Sequence, residues 1–129
     1  SVARENMKAL NLKNSFLIQH DWHKRWLFEP MDLIISNPPY IYRNDLNGDE
    51  DGIWFEPPSA LFSEKNGLAD ISTIIKNSVT FLKENGKLIL EHGFDQKDSI
   101  NMMANQNDYS DVSFLKDLNG KWRVACLTK

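Results

Sequence analysis

At 129 residues, with 41% hydrophobic and 26% charged side chains, the chain has the size and make-up of one soluble globular unit. No apolar run approaches the roughly 18 residues that span a bilayer and no basic-then-apolar leader opens the sequence, so a cytoplasmic setting is the expectation. A net charge of −3 lacks the basic excess that phosphate-backbone binding needs, which disfavours nucleic acid as a partner, and the single cysteine, Cys126, cannot form an internal disulfide. Its apolar neighbours Val124, Ala125 and Leu127 predict a buried, reduced thiol.

The chain opens inside an amphipathic helix of about residues 1–10, with Val2, Met7 and Leu10 at helical spacing and neither a cap nor an initiator methionine ahead of it. Truncation at the amino end is the expectation. A short strand, Phe16-Leu17-Ile18, follows and runs into Gln19-His20-Asp21. Met31 to Ser36 is a nearly continuous apolar run, the pattern of a central parallel strand buried on both faces. It stops at Asn37-Pro38-Pro39-Tyr40, because proline cannot donate to a ladder and restricts the residue before it. From Ile41 to Ser63 the chain reads as a loop, with an acidic tip (Asp45, Asp49, Glu50, Asp51) and an aromatic, proline-bearing section from Trp54 to Pro58.

A helix from about Leu68 to Glu84 would bury Leu68, Ile71, Ile74, Ile75, Val79 and Leu82, with Gly86 as its C-terminal cap. Lys87 to Glu91 reads as another buried strand. Asp95 stands where it could cap a further helix through Met102 and Met103. Asn119-Gly120 signals a two-residue hairpin between Val112–Leu118 and Lys121–Thr128. The alternation of helices and buried strands predicts an open, mostly parallel α/β sheet with an antiparallel hairpin at its edge. Ligands of such sheets bind beyond the carboxyl ends of the strands, where Asp21, Asn37 and Glu91 stand.

Asn37-Pro38-Pro39-Tyr40 carries the most chemistry. A planar nitrogen attacking a methyl sulfonium has a delocalised lone pair, so its hydrogens must be held by acceptors while the lone pair faces the methyl carbon. The Asn37 side-chain oxygen and the neighbouring Pro38 carbonyl can be those acceptors. Two prolines fix φ and leave no competing donors, and Tyr40 offers an aromatic face to a flat amide or base. A strand ended by a rigid Pro-Pro turn and capped by a tyrosine explains the same residues without chemistry.

These residues resemble the Asn-Pro-Pro-Tyr signature of methyltransferases acting on adenine, cytosine, guanine or glutamine nitrogens. Asp32 to Ser36, Ile41, Phe55-Glu56-Pro57 with Ala60-Leu61, Gly67 to Asp70, and Glu91-His92-Gly93 narrow the resemblance to the HemK-type N(5)-glutamine methyltransferases of peptide chain release factors, over essentially the whole chain. The resemblance implies a Rossmann-like class I fold, S-adenosyl-L-methionine as cofactor and a release factor as protein substrate. It implies that Asn37, Pro38, Pro39 and Tyr40 hold the substrate glutamine, with Asn37, Pro38 and Tyr40 the catalytic set. Asp21, Trp22 and Asn37 would be this chain's cofactor contacts, with Trp22 packed on the adenine. It further implies that the glycine-rich cofactor loop and an amino-terminal helical domain precede Ser1, so that 1–129 form the carboxy-terminal part of one methyltransferase domain. No G-x-G pattern occurs within these residues.

Other readings remain. A nucleic-acid amino-methyltransferase of the adenine N6 type would want a basic groove, against which the acidic loop argues. A non-catalytic fragment or binding module is the third. The carboxylate spacing from Asp45 to Asp51 resembles a calcium loop, but glycine stands fourth and no glutamate closes the twelfth position. His20 and His23 flank Asp21 without the further ligands of a zinc site, so no metal is expected. Lys24-Arg25 between Trp22 and Trp26 suits base stacking or plain burial, and Glu56 suits function or turn capping.

Overall fold

The computed structural model describes residues 1–24, 26, 28–42 and 55–129. Arg25, the acidic tip from Asp45 to Asp51, and Trp54 lie outside the described residues. In chain order the elements are α1 (Val2–Ala9), β1 (Met31–Ser36), α2 (Pro58–Leu61), α3 (Glu64–Gly67), α4 (Ala69–Phe81), β2 (Leu82–Glu91), α5 (Lys97–Asn105), β3 (Asp111–Lys116) and β4 (Trp122–Thr128).

The four strands form one sheet in the order β1-β2-β4-β3. β1 pairs parallel to β2, and β4 runs antiparallel to both β2 and β3. Three strands therefore share one direction, and the hairpin supplies the reversed one. Side chains alternate across a strand, so each strand feeds both faces of the sheet. Leu88 and Leu90 of β2 and Ala125 and Leu127 of β4 are fully buried on one face, against Ile71, Ile74 and Ile75 of α4 and Ile100 and Ala104 of α5.

The opposite face is bare. Leu33 is 46% exposed and Ile35 70% exposed, which corrects the expectation that β1 is buried on both faces. Among the described residues β1 has a partner on one edge only, and no helix covers that face. The same alternation corrects the expectation for Cys126, which is only half-buried because it faces away from the side occupied by Ala125 and Leu127.

The Phe16–Ile18 strand does not form. Phe16 is 92% exposed and the segment has no ladder to join among the described residues, and a strand without a partner leaves its backbone groups to water. Nor does Gly86 cap a helix. α4 stops at Phe81, Leu82 is already extended, and Gly86 lies within β2, where the register jumps from Met31↔Leu82 to Leu33↔Lys87. The left-handed residue of that excursion is Asn85.

Asp95 is not a cap either: Gln96 occupies the N-cap of α5. The hairpin turn is one residue longer than Asn119-Gly120 suggests. Asp117 exchanges backbone bonds with Lys121 and Gly120, its carboxylate accepts from the Asn119 and Lys121 amides, and Gly120 alone takes positive φ, at 78°. That is a three-residue loop closed by a left-handed glycine.

Candidate active site at the carboxyl ends of the parallel strands

Ser36 of β1 lies opposite Leu90 of β2, so the next residues, Asn37 and Glu91, emerge side by side at the carboxyl end of the parallel pair. Pro38 and Pro39 are buried, with Pro38 among the fully buried side chains, while Asn37 is exposed. Among the described residues the Asn37 side chain has no hydrogen bond, and the Pro38 carbonyl accepts none from the backbone. The buried prolines fix the backbone directly after an exposed asparagine, and Asn37 and Pro38 both line an open cleft.

Tyr40 is held at both ends. Its hydroxyl donates to Glu91 Oε1 at 2.7 Å, and its carbonyl accepts from Gln96 Nε2 at 3.0 Å. Burial and the neighbouring Glu91 carboxylate push the phenol pKa up to about 12, so Tyr40 is a neutral donor at physiological pH. Gln96, only 6% exposed, also donates to the Asn66 carbonyl and accepts from the Gly93 amide. One side-chain amide thereby ties the motif, the 64–67 turn and the turn after β2 together.

Gly67 makes that closeness possible. Its φ is +76°, and a Cβ there would overlap the Tyr40 carbonyl and come within 2.6 Å of Gln96 Nε2. Lys65 and Asn66 before it are also left-handed, so α3 is a tight turn more than a helix.

After the motif the chain closes a strap. Ile41 pairs with Phe62 in a parallel bridge, with Ile41 N donating to the Leu61 carbonyl and Ser63 N donating to the Ile41 carbonyl. This corrects the reading of 41–63 as wholly irregular, since α2 sits inside it behind Pro57 and Pro58. A solvent-open cleft lies between the motif and the strap, lined by Asn37 to Ile41 on one side and Glu56, Ala60 and Leu61 on the other.

The Asp21-Trp22 segment approaches from the amino side. The Asp21 carboxylate accepts from the His23 amide, closing a turn that presents Trp22. Trp22 is half-buried against the core, its indole N–H donating to Asp70 Oδ1 at 2.9 Å. With that N–H committed, the ring offers a further ligand only its faces, which suits stacking on a purine. Trp26 is half-buried, donates to the Trp22 carbonyl and packs on Phe81, which accounts for it without a ligand.

His92 is fully buried, with Nδ1 2.7 Å from the Gly93 carbonyl and its ring edge-on to Phe114. Burial lowers its pKa, which fits a neutral packing residue beneath the site. Among the described residues no three metal-ligating side chains converge. Sequence reasoning placed Asn37 to Tyr40 correctly at a strand end but assigned no role to Gln96, to Asp70 or to the Glu91 carboxylate. The bonds that tie them to Tyr40 and Trp22 span 48 to 56 positions, beyond any local pattern.

The architecture is that of methyltransferases. A methyltransferase from Pyrococcus furiosus superposes with a TM-score of 0.58 at 20% identity, over 98% of this chain and 54% of that one. A Streptococcus mutans protein described as a methyltransferase and solved in complex with SAH gives 0.58 at 19% identity, over 98% of this chain and 67% of its own. No family model matches the chain.

Sequence similarity is more specific. Over nearly all its length the chain is similar to release factor glutamine methyltransferases: 41% identical to that of Francisella tularensis across 96% of the chain, and 36% to that of Salmonella typhimurium across 98%. The Escherichia coli protein of the same name is 35% identical over 97%. The chain spans 44% to 46% of the length of these relatives.

Proposed function

We propose that residues 1–129 are the carboxy-terminal part of a cytoplasmic enzyme that transfers a methyl group from S-adenosyl-L-methionine to the side-chain amide nitrogen of a glutamine in a peptide chain release factor. The observation that carries this is the exposed Asn37, free of hydrogen bonds among the described residues and followed by two buried prolines, in the lining of an open cleft at the carboxyl end of β1. The similarity to release factor glutamine methyltransferases supports the substrate.

When bound, S-adenosyl-L-methionine supplies an electrophilic methyl carbon on a sulfonium. The Trp22 face and Asn37 are this chain's contributions to holding it. Asn37 Oδ1 and the Pro38 carbonyl each accept one hydrogen of the substrate amide, which aims the nitrogen lone pair across the cleft. Pro39 keeps the turn rigid, and the Tyr40 ring, anchored by Glu91, packs against the amide plane. The amide nitrogen held by Asn37 and Pro38 would take the methyl group, S-adenosylhomocysteine would be the leaving group, and the nitrogen would then lose a proton to water. Tyr40 takes no part in that transfer because its phenol stays protonated.

The test is methylation of purified release factor by the complete protein, read by peptide mass spectrometry. One added methyl on a glutamine side chain supports the assignment. Methylation of adenine in DNA with none on the release factor would leave the motif standing and overturn the substrate. No methylation of either would reduce the chain to a binding module.

A further inference from the structure

One carboxylate outside the cleft joins the two halves of the site. Asp70, at the start of α4, receives three side-chain contacts. Its Oδ1 accepts the Trp22 indole N–H at 2.9 Å and lies 2.9 Å from His23 Nε2. Its Oδ2 accepts the Ser63 hydroxyl at 2.6 Å, while the Asp70 amide donates back to Ser63 Oγ at 3.1 Å. The side chain is only 14% exposed. The exchange with Ser63 anchors the start of α4, and the bonds to Trp22 and His23 tie the 21–23 turn to the same carboxylate.

Both partners lead to the site. Trp22 is pinned again at its carbonyl, which accepts from Asn77 Nδ2 at 2.9 Å. Ser63 ends the strap whose amide holds Ile41, the residue after Tyr40. A tryptophan tied at both its indole N–H and its backbone carbonyl has little freedom to turn its ring. A strap fastened to the same carboxylate cannot shift without straining that bond.

We propose that Asp70 is a positioning residue for methyl transfer, holding the Trp22 ring as the cofactor platform and tying it to the strap that lines the substrate cleft. The proposal rests on the reading of Trp22 as a cofactor contact. Hydrogen bonds to an ionised carboxylate are the strong ones, so losing the acceptor should be visible in affinity. Asp70→Asn keeps the shape and puts an N–H where one acceptor oxygen stood. Trp22→Phe keeps an aromatic ring and removes the donor.

The experiment is a double-mutant cycle in the complete protein, titrating S-adenosylhomocysteine by calorimetry and measuring KM and kcat separately. Asp70→Asn should weaken binding about tenfold, the scale of one charge-assisted hydrogen bond. It should raise KM for S-adenosyl-L-methionine while changing kcat much less. In the Trp22→Phe background the same substitution should cost less than about twofold, since the donor it served is gone. Equal penalties in the two backgrounds, or affinity of Asp70→Asn within twofold of the parent, would overturn the proposal. If Asp70→Asn melts too low to titrate, Asp70→Glu, which keeps the charge but moves the acceptor, takes its place in the same cycle and the same outcomes decide. Trp22→Ala separates the two ideas. If it leaves affinity unchanged, the cofactor reading falls and the proposal with it; if it weakens binding while Asp70→Asn does not, only the proposal falls.

Discussion

The Tyr40 hydroxyl and the Glu91 carboxylate, 51 positions apart in sequence, are joined by a 2.7 Å hydrogen bond across the ends of two parallel strands. The phenol pKa is raised from 10.0 to about 12, so between those values the folded chain keeps a proton that the unfolded chain has released. Stability from this group is complete below pH 10 and is lost as pH rises toward 12. Denaturant midpoints of the parent should fall more steeply over that range than those of Tyr40→Phe. Equal slopes would mean that Tyr40 titrates as an ordinary surface phenol.

In the proposed mechanism, Asn37→Ala removes one of the two acceptors for the substrate amide. Loss of one preorganised partner of this kind costs on the order of 10²–10³ in rate. The complete protein should lose that much methyl transfer while keeping its melting temperature, because Asn37 is exposed and makes no hydrogen bond among the described residues. A rate within about threefold of the parent would remove Asn37 from the mechanism.

Gly67→Ala should be more damaging than its size suggests. The position is left-handed, which costs a residue with a Cβ about 1–2 kcal/mol, and the new methyl would collide with the Tyr40 carbonyl and Gln96. Urea unfolding of the complete protein should show a loss of at least that size, together with reduced methyl transfer. Gly120→Ala serves as the control, since its φ is also positive but nothing lies within 4 Å. It should destabilise without touching activity.

Asp70 predicts an acid effect of opposite sign to that of Tyr40. Burial opposes its ionisation, but bonds from Ser63, Trp22 and His23 outweigh that and leave its pKa below 3.8. Its contribution is present above pH 3.8 and disappears as pH falls through the lower folded value. Acid unfolding followed by tryptophan fluorescence should be flatter below pH 4 in Asp70→Asn than in the parent.

Much of this was legible in the sequence, for local reasons. The β1 run, the proline stop, the isoleucine spacing of α4 and the closing hairpin are each set by residues within a few positions of one another. The misreadings share a cause as well. Gly86 and Asp95 are the right residue types for caps, but the chain at 82–86 is claimed by pairing with β1, and the Gln96 side chain is claimed by two distant carbonyls and the nearby Gly93 amide. Tertiary demands overrode local preference there. Phe16–Ile18 has strand-like residues, and a strand exists only where another backbone accepts it.

The bare face of the sheet sets how these 129 residues behave in a test tube. With an accessible area of 9331 Å², the chain exposes well above the roughly 7,000 Å² expected for a compact 14.9 kDa monomer. Leu33 and Ile35 account for part of that excess, next to a β1 edge whose second side has no partner among the described residues, and Leu115 adds to it from β3 at the other edge. An open edge beside greasy side chains is a template for colloidal growth. Produced alone, the chain should scatter light increasingly with concentration and need detergent or a fusion tag to stay dispersed.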